Sequence, residues 1–79
     1  MIALRTSKDL GEALRAARKR LGLTQPQLAL ATGVGVRFLV ELEAGKPTVR
    51  LDKVLRVIAG LDGELQLSGL PAPGESADR

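Results

Sequence analysis

Thr24-Gln-Pro-Gln-Leu28-Ala29 and, four residues after that alanine, Gly33 constrain this chain more than any other stretch. Thr24 followed by Gln27 has the reciprocal pattern of a capping box, and Pro26 sits in the first turn, where its missing N–H costs little. These signals open a helix over about 25–32, which Gly33 ends in a tight turn that favours positive φ. Gly35 or its neighbour starts the next helix, which runs to about Ala44 before Gly45 and Pro47 stop it. Two short helices joined this closely must cross steeply. A side chain larger than methyl at the crossing would push them apart, and Ala29 stands there. Leu28 and Val34 flank the turn on its buried side, while Leu39 and Leu42 set the inner face of the second helix against the rest.

The flanking segments supply two more helices. Ser7 can cap one over about 8–21, with Leu10, Ala13, Leu14, Ala17 and Leu21 recurring at helical spacing and Gly22 as its stop. Thr48 can cap another through about Leu61, with Val54, Leu55, Val57, Ile58 and Leu61 as its apolar side. A chain of 79 residues holds one core of this kind, built from Leu, Val, Ile and Ala because Phe38 is its single aromatic. Phe38 is expected to fill a gap beside the last helix. The pattern then changes to the alternation Glu64-Leu65-Gln66-Leu67, too short to be a stable strand without a partner. A boundary is therefore expected at residue 67, with 68–79, rich in Pro and Gly, as a flexible tail.

Composition narrows the function classes. The chain has no Cys and no His, which removes disulfides, thiolate and imidazole metal ligands and the commonest general base. No nucleophile–base pair or Gly-rich phosphate loop is present either, so no enzyme, cofactor or metal is expected. Single-stranded RNA binding lacks its aromatic stacking platform. No apolar run approaches the roughly 18 residues of a membrane helix, and Met1-Ile2-Ala3-Leu4, broken by Arg5, is too short for a signal peptide, so a cytoplasmic protein is expected. Residues 1–61 hold 11 Lys/Arg against 5 Asp/Glu, a balance of +6, whereas 62–79 hold 1 against 4, or −3. The basic part is the part with the crossed helices. A polyanion partner and an ordinary solvated basic face are both compatible with that.

A cap, an Ala-to-Gly interval and a basic surround in one register are what a helix-turn-helix requires, and such a unit lays its second helix in a DNA major groove. The same residue types also serve a hairpin that only packs a core. The string from Leu23 to Lys46 resembles the XRE-type (Cro/CI-type) helix-turn-helix family. The longer run from Leu10 to Leu67 is similar to the HipB-type antitoxins, through Gly45-Lys-Pro-Thr48, the helix Leu51–Leu61 and the strand Glu64–Leu67. This resemblance implies an all-α, lambda-repressor-like bundle of four to five short helices, plus a short C-terminal β-strand pairing across a dimer. It implies that Val36, Arg37, Val40 and Glu41 face the bases. Arg37 can fork onto guanine O6 and N7 or contact a phosphate, Val36 can meet a thymine methyl, and Glu41 can accept from a cytosine amine or sit at the groove edge. It assigns Thr24, Gln25, Gln27, Gly35, Lys46, Thr48 and Arg50 to the phosphates, Gln25 also orienting the next helix. Gly35 departs from the family, which usually has Ser or Thr there, so a hydroxyl cap is missing. It further implies that Arg18 and Glu43 form a structural salt bridge.

The partners implied are a palindromic double-stranded DNA operator, a second copy of the chain and a HipA-type serine/threonine kinase toxin. The function implied is that of a transcriptional repressor and autoregulating antitoxin. Dimerisation has its own physical argument, since Leu65 and Leu67 share a face of an unpartnered strand that could pair with the same segment of another chain. A repressor with no toxin would carry the same motif, and an adaptor could keep the fold without binding DNA.

Overall fold

In the computed structural model, which describes residues 1–74, the chain runs through α1 (Ser7–Arg20), α2 (Gln25–Thr32), α3 (Val36–Glu43) and α4 (Leu51–Gly60). The described residues thus form an all-α bundle of four helices. Thr24 caps α2 as expected: its hydroxyl accepts from Gln27 N–H, and the Gln27 side chain accepts from Thr24 N–H. Gly33 ends α2 at φ 73°, and Val34 N–H reaches back to the Ala29 carbonyl.

Two helix starts differ from the sequence expectation. Thr6, and not Ser7, caps α1, because Asp9 three residues later completes a reciprocal box in which its carboxylate accepts from Thr6 and Arg5 N–H. Ser7 has no such partner three residues on, where Leu10 stands. At the other end Leu21 is the C-cap and half exposed, so it is not part of the apolar face. Likewise α4 starts at Leu51 after Arg50, with no side-chain cap, whereas Thr48 lies exposed in the preceding loop. Val49, just before the N-cap, packs against the core. Asp52 in the first turn offsets the missing cap by favouring the positive end of the dipole.

The core joins Leu14, Leu28, Ala29, Val34, Leu39, Leu42, Val54, Val57 and Ile58. Leu28, Leu39 and Val57 are fully buried at its centre. Phe38 packs at its margin, and the Lys53 ammonium of α4 lies 5.5 Å from its ring centroid, a cation–π contact. Leu55, expected on the apolar side of α4, is 43% exposed and forms with Leu51 an outward pair one turn apart. Residues 63–68 have no regular structure within the single chain, and Leu65 and Leu67 are exposed. Residues 68–74 are exposed throughout; the remainder of the expected tail, 75–79, lies outside the described residues.

Gly11, a residue the periodic pattern of α1 passes over, decides how closely α1 and α3 approach. A Cβ there would fall 2.5 Å from the Leu42 carbonyl oxygen and 2.7 Å from that of Glu43. A Cβ on Gly45, at φ 87°, would fall 2.9 Å from the Lys8 Cα, so the residue that follows the α3 cap also lies close against α1. Glycine inside a helix costs about 1 kcal/mol relative to alanine, and here the close approach is the compensation. Gly11→Ala is therefore expected to destabilise the protein by about 1–3 kcal/mol in urea unfolding despite its better helix propensity. Exposed Glu12→Ala should leave the midpoint nearly unchanged.

Candidate nucleic-acid interface

The buried row of α3 is Leu39, Leu42 and Glu43; its outward row is Val36, Arg37, Val40 and Glu41, one and four residues apart and thus on one side. Val36 and Val40 are 43% and 42% exposed, while the Arg37 side chain is 91% exposed. The four positions expected to face bases are therefore brought together on one surface.

What holds this surface in place is a buried polar junction. Arg18 of α1 donates from Nε to Glu43 Oε2 at 2.7 Å and from Nη2 to Glu43 Oε1 at 2.9 Å. Its Nη1 donates to the Leu23 carbonyl at 2.7 Å, and Gln25 Nε2 donates to Glu43 Oε1 at 2.9 Å. The guanidinium fork thus ties α1, the loop before α2, the start of α2 and the end of α3 to a single carboxylate. Both charged side chains are nearly covered, at 9% and 3% exposure, and among the described residues no buried side-chain polar atom lacks a partner. Burial works against ionising Glu43, but the hydrogen bonds from Arg18 and Gln25 and the charges of Arg18 and Arg15 outweigh it and hold the carboxyl below its ordinary range.

Gln25 is expected to contact a phosphate and to orient the next helix; in the structure it bonds Glu43 of α3 with one of its amide's two N–H donors, a partner that no spacing rule names. Thr24 and Gln27 are engaged with each other in the α2 cap, and Gly35 is the N-cap of α3 with no side-chain hydrogen bond. Lys46 donates to Glu41 Oε1 at 3.2 Å, and Arg37 Nε lies 3.4 Å from Glu41 Oε2. Arg50 forks onto Asp52 at 3.1 and 2.6 Å. Thr48 is exposed. Arg56 of α4, absent from the expected set, reaches the Gly33 carbonyl at 3.4 Å and braces the turn before α3.

Residues 9–66 match the helix-turn-helix domain family. The chain belongs to that family. An uncharacterized HTH-type transcriptional regulator, y4mF, of Sinorhizobium fredii is 44% identical to it over 72 residues, 91% of each chain. Among solved structures, a HipB–O4 20mer complex superposes with a TM-score of 0.81 at 18% identity, covering 90% of this chain and all (100%) of the other. An MDT protein follows at 0.79 and 19% identity with the same coverage. The XRE-type, HipB-like fold expected from the sequence is thereby shown. A helix-turn-helix transcriptional regulator of this kind binds DNA and is not an enzyme. No helix of the described residues is long and apolar enough to cross a membrane.

Removing one member of the buried pair strands the other. Glu43→Gln is expected to cost about 3 kcal/mol, the low end for a buried pair because this one lies just below the surface. The native carboxyl has a lowered pKa, so its contribution is complete above the ordinary value of about 4.3 and is lost as pH falls through the folded value. Thermal unfolding between pH 2 and 6 should show a steeper acid decline for the wild type than for Glu43→Gln.

Proposed function

We propose that this regulator is a homodimeric repressor that binds a palindromic operator, with α3 in the major groove of each half-site. The observation that carries the reading is the division of α3, whose outward row Val36, Arg37, Val40 and Glu41 stands opposite a row fully committed to the core and the Arg18 junction. Val36, Arg37, Val40 and Glu41 are the base-facing side chains, Arg37 forking onto guanine, Val36 meeting a thymine methyl and Glu41 accepting from a cytosine amine. Thr24, Gln25, Gln27, Gly35, Lys46, Thr48 and Arg50 serve the backbone. Gln25 offers its second amide N–H to a phosphate while Glu43 fixes its orientation. Residues 1–67 form the working unit.

The dimer is made by Glu64-Leu65-Gln66-Leu67 pairing with the same segment of a second chain, which would cover Leu65 and Leu67, 50% and 78% exposed in the single chain. The two reading helices then sit about 34–36 Å apart, one turn of DNA. Similarity to HipB in fold, and the antitoxin resemblance of the sequence, support a HipA-type serine/threonine kinase toxin as the protein partner. A regulator acting on chromosomal DNA works in the cytoplasm.

Selection of duplexes from a random pool tests this reading, with a palindromic consensus as the expected product. Arg37→Ala should then weaken binding to the selected duplex by about 1–3 kcal/mol and relax preference at one base pair per half-site. An unchanged consensus and affinity would remove Arg37 from base reading. Charged substitutions Leu65→Asp and Leu67→Asp together should give a monomer by sedimentation and reduce operator affinity. A dimer that persists would place the interface elsewhere.

A further inference from the structure

The charges of α3 run against its own dipole. Arg37 stands in the first turn, where an acidic residue is preferred, and Glu41 in the last, where a basic one is. An arginine four residues before a glutamate is also the weaker order for a helical ion pair. Helix stability therefore does not explain the pair. Glu43, the other acid of the last turn, is accounted for by Arg18; Glu41 is not.

Glu41 is instead the meeting point of two exposed cations beside the reading face. Lys46 is joined to it twice, by its backbone N–H to the Glu41 carbonyl at 3.1 Å and by its ammonium to the carboxylate at 3.2 Å. Arg37 approaches the second carboxylate oxygen at 3.4 Å. The Glu41 side chain is 33% exposed, against 91% for Arg37 and 44% for Lys46, so the carboxylate is the settled group and the cations reach toward it. The hydrogen bond from Lys46 above all, with a smaller one from Arg37, lowers the pKa of this carboxyl below its ordinary value, although desolvation opposes it.

We propose that Glu41 is a positioning and specificity-determining residue that competes with DNA phosphates for Arg37 and Lys46. The inference rests on α3 being the reading helix. On an arbitrary duplex, a phosphate that recruits either cation must displace the carboxylate, which stays on the same face and repels the phosphates around it. A site that presents an exocyclic amine to Glu41 and a guanine to Arg37 removes that penalty. Affinity for random DNA is lowered more than affinity for the operator, so discrimination comes from a repulsive element as well as from contacts.

The test compares wild type with Glu41→Gln, which keeps size and removes charge, and with Glu41→Ala. The probes are a duplex selected from a random pool by the wild type and a scrambled duplex of equal length and composition. Expected for both variants are about tenfold tighter binding to the scrambled duplex and a salt slope steeper by about one. The ratio of selected to scrambled affinity should fall correspondingly. In the free protein, the Arg37 Nε–H resonance should move toward that of an unpaired arginine. An unchanged ratio and slope with wild-type selection intact would overturn this inference and leave the DNA-binding reading standing. So would weaker binding to the selected duplex with no gain on the scrambled one, which would make Glu41 an ordinary base reader. Failure of the wild type to select any duplex would overturn both.

Discussion

The placement of the outward face of α3 depends on one nearly covered carboxylate. Glu43 ends α3, and its two oxygens receive three hydrogen bonds from Arg18 and Gln25, so the helix that presents Arg37 is anchored to α1 and to the first residue of α2 at once. An isolated helix of 8 residues is not stable in water, and neither α2 nor α3 is longer than that. Their geometry has to come from tertiary contact. Apolar packing of Leu28, Leu39 and Leu42 supplies much of the energy but is tolerant of small slides, whereas a bidentate guanidinium fork is not. The Gly11 approach adds a second directional constraint, since it presses the backbone of α1 against the last carbonyls of α3.

The same junction joins fold to function. Gln25 lies at the N-terminus of α2, where backbone N–H groups favour an anion, and its amide also bonds the carboxylate that fixes α3. A phosphate held there would be held in a fixed relation to the reading helix. The face itself is less basic than the count of Lys and Arg suggests, because Glu41 engages Arg37 and Lys46 while Asp52 engages Arg50. Net charge favours a polyanion partner, and these carboxylates hold three of the cations that such a partner would otherwise meet free.

Much of this was legible in the chain because short-range rules carry it. The Thr24–Gln27 box, the Gly33 stop, the buried Ala29 and the inward Leu39 and Leu42 all stand where their spacing puts them. The helix starts of α1 and α4 were misread for opposite reasons. At α1 a better local match, Thr6 with Asp9, outcompeted Ser7. At α4 the N-cap is Arg50, with no side-chain cap, and it follows directly on Val49, which packs against the core, so no capping signal marks the start. The Arg18–Glu43 pair was visible only through family resemblance, since 25 residues separate its members and no spacing rule spans that distance.

By itself, then, the sequence determined the number, order and approximate length of the helices and the inward placement of Ala29, Leu39 and Leu42, because these follow from caps, glycines and periodicity within one or two turns, while the outward row of α3 came from the family resemblance. Only the tertiary structure decided which polar groups share a partner. It gave Gln25 to Glu43, gathered Arg37 and Lys46 on Glu41, set Arg50 on Asp52 and made Gly11 a contact and not a gap. The physical reason is that hydrogen bonds and close backbone approaches depend on distances of a few tenths of an ångström between separate elements, and those distances exist only once the helices are packed.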